Sequence, residues 1–164
     1  MKWGRGYDPY VHAESLGVEV VRSNNVHGWG DYRAGVIRVH GTLTQDEARC
    51  TVTHELVHHE HRDDTLGYCG VGWLDTRLER QVHATAARRL IVMPELADAL
   101  RWSDHPNEIA EQLGVDVRTL YARVLDLERA EYDDLHKRLG GRERRTLDDL
   151  HAYAARRLPT PYAG

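Results

Sequence analysis

An α+β fold, mostly helical with a small N-terminal sheet, is what this sequence predicts. Three observations carry that expectation. Short alternating runs occur only within the first forty residues, whereas helical apolar spacing dominates from residue 45 onward. The chain has 164 residues, 41% of them hydrophobic, which suits one core with at most a small appendage. There is no Phe, so Leu, Val and Ala carry that core, with Trp and Tyr adding bulk.

Taken in order, residues 9–16 read as a short helix ended by Gly17, and Val18-Glu19-Val20-Val21-Arg22 alternates as a strand should. Asn24-Asn25 and Gly28-Trp29-Gly30-Asp31 are turn material. Gly35-Val36-Ile37-Arg38-Val39-His40 is a second strand, and the two are expected to form a small antiparallel sheet. Thr44 and Glu47 make a capping box that opens a helix over residues 45–60. Residues 62–72 form a polar connection without a clear period. Residues 73–91 are a second strong helix, with Leu74, Leu78, Val82 and Ala86 on one face. Met93-Pro94 ends that helix or begins the next element. The chain then reads as helical to a fraying tail at residues 158–164. The expected organisation is a core over 1–94, a helical pair over 95–130 and a helical tail over 131–164.

Charge and composition narrow the function. A net charge of −4 gives no support to nonspecific nucleic-acid binding. The first seven residues lack the apolar run of a secretory signal, and no segment is apolar enough to span a bilayer, so a cytoplasmic location is expected. The two cysteines, Cys50 and Cys69, read as reduced thiols in that compartment. Cys69 is also a weak candidate metal ligand, set in a loop-like stretch.

The decisive motif is His54-Glu55-Leu56-Val57-His58. On a helix, residues four apart share a face one turn from each other, so both imidazoles can grip one divalent metal. Glu55 stands beside them, placed to take a proton from water. This is the geometric basis of the H-E-x-x-H metalloprotease signature. The competing reading is a solvated helix in a chain that carries eleven histidines. A catalytic zinc takes three protein ligands, and the second helix offers Glu79 and His83, one turn apart. Either could complete the site, with the other steadying a histidine from behind. On the residues alone the two stay level.

Thr53-His54-Glu55-Leu56-Val57-His58, followed by Glu79-Arg80-Gln81-Val82-His83-Ala84-Thr85-Ala86-Ala87-Arg88-Arg89-Leu90, resembles the ImmA/IrrE family of metallo-endopeptidases. That family pairs an HELxH helix with a second helix in which a Glu, then Cys or Ala-Asn, then Phe-Ala-Ala, precede Leu-Leu-Met-Pro. On that pattern Glu79 takes the place of the acidic metal ligand and His83 that of the Asn. Thr85 replaces the Phe, and Met93-Pro94 matches with two extra residues before it. The resemblance covers residues 8–127, and its specific part is the two metal helices. It implies a zincin-like fold and Zn2+ held by His54, His58 and Glu79, with His83 the alternative third ligand and Glu55 the general base. It also implies a regulatory protein substrate, such as the DNA-binding repressors of phage and mobile-element circuits. The partner beside the metal for a developing oxyanion is open among Tyr68, His61 and His83.

Residues 107–124 carry a helix-turn-helix-like pattern: Ala110, Gly114, Val115 and Leu120 fall at its small, turn and core positions, with Asp116 as a cap. As a DNA reader the second helix would present Arg118, Thr119, Tyr121 and Arg123. Glu108, Glu111, Asp116, Asp126 and Glu128 oppose a phosphate backbone. The resembled family carries a similar pair inside its peptidase fold, so packing on the core is the favoured expectation. Two rival functions remain: a DNA-binding regulator with a non-catalytic metal site, and a silent adaptor that docks a repressor without cutting it.

Overall fold

The computed structural model of the chain describes residues 6–61 and 72–157, the second stretch with side chains from residue 77. The expectations for residues 62–71, including Tyr68 and Cys69, for the Leu74 side chain and for the tail at 158–164 lie outside the described residues. Helix α1 (Pro9–Ser15) starts where Asp8 accepts hydrogen bonds from the backbone N–H groups of Tyr10 (2.9 Å) and Val11 (3.4 Å), with Pro9 in its first turn. Gly17, at φ +69°, turns the chain into the first strand.

The sheet corrects the expected antiparallel pair. It has three strands, β1 (Glu19–Ser23), β2 (Gly30–Arg33) and β3 (Val36–His40), in the order β1-β3-β2. β1 pairs with β3 in parallel and β2 pairs with β3 antiparallel, so the sheet is mixed. The cause is a strand where a turn was expected. Ala34 and Gly35, both at positive φ (52° and 82°), close a tight hairpin between β2 and β3. β1, running the same way as β3, then takes the other edge. Gly30 is permissive here for a spatial reason: a Cβ on it would come within 2.6 Å of the Thr51 Cγ2 and 2.8 Å of the Arg38 carbonyl oxygen. β2 therefore lies directly against the following helix.

That helix, α2 (Gln45–His61), begins with the expected capping box. Thr44 N–H donates to Glu47 Oε2 (2.8 Å), and Glu47 N–H donates to Thr44 Oγ1 (3.2 Å). α2 is buried on more than one side. Val52 and Leu56 join Ala13, Val18, Ile37 and Val39 beneath the sheet, Val57 packs with Val82 and Ala86, and Cys50 belongs to the main core. His59 is part-buried and shares a hydrogen bond through Nδ1 with the Tyr32 hydroxyl at 2.8 Å.

Among the described residues six further helices follow: α3 (Gly72–Leu90), α4 (Met93–Trp102), α5 (Pro106–Leu113), α6 (Val117–Leu125), α7 (Arg129–Arg138) and α8 (Gly141–Arg157). Met93-Pro94 opens α4, with Pro94 in its first turn. Leu90 and Ile91 join Leu96, Leu100, Ile109, Leu120, Leu135 and Leu147 in a core spanning α3 to α8. α5 ends at Gly114 in the left-handed region (φ +65°, ψ 40°), and Asp116 caps α6 by accepting from Thr119 N–H at 2.8 Å. The pair is fastened to α2: the buried Arg49 guanidinium donates to the Gly114 carbonyl at 2.9 Å, and Asp116 N–H points at Cys50 Sγ at 3.4 Å. No described helix is long and apolar enough to cross a membrane.

Candidate metal centre

α2 and α3 lie side by side because Val57 on one and Val82 and Ala86 on the other bury against each other. That contact brings the polar residues beside it into register. His54 Nε2 and His58 Nε2 are 3.1 Å apart. Glu79 Oε2 lies 3.2 Å from His54 Nε2, and its Oε1 lies 3.0 Å from His58 Nε2. Among the described residues, His54, His58 and Glu79 are the group whose ligand atoms converge for a metal, all within 4.8 Å of one another. A tetrahedral zinc at about 2.0–2.1 Å from each donor would separate those donors by roughly 3.3 Å. The spacing of the two imidazole nitrogens is close to that, and each of them has a different Glu79 oxygen at a similar distance.

The donor set fits zinc chemically as well. Two imidazoles and one carboxylate are the protein ligands of a recognised catalytic zinc class, which keeps a fourth position open. His54 Nδ1 is buried and has no hydrogen-bond partner among the described residues, so Nε2 is the ring atom through which this side chain is anchored. Burial alone would raise the Glu79 carboxyl pKa, but hydrogen bonds from His54 and His58 outweigh it and hold Glu79 well below the usual carboxylate range. Glu79 is therefore an anion, as a ligand must be.

Glu55 and His83 sit beside this group. Burial pushes the Glu55 carboxyl pKa up, opposed by His54 and His58 and reinforced by Glu79 and Asp31. His83 is not one of the converging residues. Its ring centroid lies 4.3 Å from that of His54, at an interplanar angle of 48°. Burial, followed by the neighbouring His54, lowers its pKa to about 4, so the ring is neutral at pH 7. Of the other residues considered for the oxyanion, His61 is exposed at the end of α2, and Tyr68 lies outside the described residues.

His54, Glu55 and His83 form one side of a cavity of about 250 Å³. Its other sides come from Trp29 and Gly30 at the start of β2 and from Asp116, Arg118 and Thr119 at the start of α6. Sequence reasoning did not place these residues in the site. Trp29 and Gly30 read as a turn, while Arg118 and Thr119 read as candidate DNA contacts. The Gly-Trp-Gly run was a usable signal, since glycine in a strand marks close backbone approach. The structure also removes Arg123 from any exposed reading face. It is 3% exposed, and its guanidinium donates to the Ile91 carbonyl (3.1 Å) and to Glu131 Oε1 (2.7 Å).

No protein-family model, curated protein or solved structure matches the chain. The likeness to the ImmA/IrrE pattern therefore rests on the sequence, its specific part being α2 and α3.

Proposed function

We propose that this protein is a zinc-dependent endopeptidase of zincin-like fold, of the ImmA/IrrE kind, acting in the cytoplasm on a regulatory protein such as a transcriptional repressor. The observation that carries the reading is the convergence of His54, His58 and Glu79 with Glu55 on the adjoining cavity wall. The substrate class rests on the sequence resemblance.

His54 and His58 would hold zinc as neutral imidazoles and Glu79 as the carboxylate ligand. Zinc, when bound, supplies Lewis acidity that favours deprotonation of water and polarises a carbonyl. Glu55 accepts the proton of the attacking water on its carboxylate and returns it to the departing amine nitrogen. Its raised pKa suits both halves of that exchange. His83, neutral and facing the same cavity, can donate an N–H to the developing oxyanion. β2 is an edge strand whose first residue lines the cavity, so a peptide can add to it as a further strand and run past Glu55.

The test is Glu55→Gln. The amide is nearly isosteric and cannot accept the proton, so zinc content should stay near one per chain. Cleavage of the regulator encoded beside the gene should fall by about 10²–10⁴-fold or more. Equal cleavage by both proteins would remove Glu55 as the base. A stable complex with the regulator and no cleavage by either would establish the silent adaptor instead.

A further inference from the structure

We propose that Arg118 makes this cleft selective for a substrate carboxylate held beside the scissile bond. The inference rests on the peptidase reading above and names the chemistry its substrate must offer. Arg118 stands in the first turn of α6, across the cavity from the metal-binding helices. Its guanidinium lies over the Trp29 indole, 5.5 Å from the ring centroid. Trp29 comes from the loop entering β2, so residues distant in sequence meet at one side of the cavity.

Arg118 and Trp29 are both exposed at the rim of the cavity, and three features single the guanidinium out. Among the described residues lining the cavity, Arg118 carries the one fixed positive charge. Among the described residues it forms no ion pair and no hydrogen bond, its contact being with the indole. A guanidinium lying over an aromatic face keeps its N–H edge available, and that edge matches a carboxylate in a two-point fork.

Among the described residues lining the cavity, the acidic ones are Glu55 and Asp116, and both have partners or a role of their own. Asp116 Oδ1 accepts from Thr119 N–H at 2.8 Å, and its Oδ2 accepts from Thr119 Oγ1 at 3.2 Å. Glu55 is taken up by the reaction. A basic substrate side chain entering here would meet the positive charge of Arg118. An apolar one would strip water from the guanidinium without replacing its hydrogen bonds. A carboxylate satisfies it. The carboxylate can come from an Asp or Glu side chain or from the end of a chain.

The test uses the zinc-loaded full chain and three peptide hydroxamates of one length. The first carries Glu in the position next to the hydroxamate and an amidated end. The second carries Gln there with an amidated end, and the third carries Gln with a free terminal carboxylate. Affinities are read by calorimetry on wild type and on Arg118→Gln, with zinc content measured in both. The expected result is that a carboxylate probe binds wild type about 10- to 100-fold tighter than the amidated Gln probe, and that Arg118→Gln abolishes the difference while keeping zinc. Preference for the first probe identifies a side chain as the source, and preference for the third identifies a chain end. Equal binding of all three to wild type, or a preference that survives in Arg118→Gln, overturns the inference and leaves the metal centre standing. Absence of both zinc and probe binding overturns the metal centre, and this inference with it.

Discussion

Arg123→Met separates a packing role for α6 from a DNA-reading one. The substitution keeps most of the stem and removes the guanidinium. In wild type that group is 3% exposed, donates to the Ile91 carbonyl at 3.1 Å just beyond the end of α3, and donates to Glu131 at 2.7 and 3.3 Å. Breaking a buried pair by removing one partner typically costs ~3–5 kcal/mol. The lower end applies here, because Glu131 is 21% exposed and keeps Arg88, whose Nη1 lies 3.3 Å from both of its oxygens. A loss of about 3 kcal/mol follows, which at ~2–4 °C per kcal/mol for a chain of this size lowers Tm by roughly 6–12 °C. The double variant Arg123→Met/Glu131→Met should lose less than the sum of the two single variants, since both remove the same pair. The assays are urea unfolding and thermal melts followed by circular dichroism, with a duplex-DNA gel shift beside them. A single variant within about 0.5 kcal/mol of wild type would refute the reasoning, since that is the range of an exposed, uninvolved residue. Loss of tight, sequence-dependent DNA binding at unchanged stability would instead support the reader.

Three further outcomes are expected. His54→Ala, His58→Ala and Glu79→Ala should each release zinc on dialysis, as read by metal analysis, whereas His83→Ala should retain it; zinc lost only in His83→Ala would reassign the third ligand. Gly30→Val should destabilise by about 1–3 kcal/mol in urea, since its Cβ would meet Thr51 and the Arg38 carbonyl at less than 3 Å, and it should weaken peptide binding more than zinc binding; wild-type stability would show that β2 does not press on α2. The Glu131 pKa is lowered from 4.5 to about 2, first by its hydrogen bond from Arg123, so its contribution is full above pH 4.5 and fades as pH falls toward 2. The stability gap between wild type and Glu131→Gln should close over that window, and a gap unchanged at pH 2.5 would contradict the depressed pKa.

The elements most legible in the sequence are those set by local chemistry. The Thr44–Glu47 box, the Asp116 cap and the left-handed Gly114 each determine an end of a helix through bonds within a few residues, and each stands where the pattern put it. β2 was not legible for the opposite reason. Gly30-Asp31 carries turn chemistry, and its strand conformation comes from pairing with β3 and from pressing on Thr51 of α2, both contacts between separate elements. Strand direction was likewise out of reach, because nothing in a five-residue run such as β1 says which edge of β3 it will take. Glu79 and His83 share a face of α3, so helical periodicity could not rank them. Their height beside α2 distinguishes them: Glu79 meets both imidazoles, whereas His83 meets the His54 ring.

The helix-turn-helix-like pattern shows why a motif can be read correctly as structure and still leave its role open. Ala110, Gly114, Val115 and Leu120 are packing and turn positions, and all four serve that purpose here as the α5–α6 pair enters the core. DNA reading depends on the other positions, those that face out. Of the basic residues there, Arg123 is drawn inward by Glu131 and the Ile91 carbonyl. Arg118, two residues after the Asp116 cap, is brought beside Trp29 at the cavity wall. Capping places Asp116 where α6 begins, the Cys50 contact fastens that end to α2, and the first turn then faces the cleft beside His54. The pair thus completes the wall of a pocket, with His54 and Glu55 of α2 on one side and the Arg118 cation of α6 on the other.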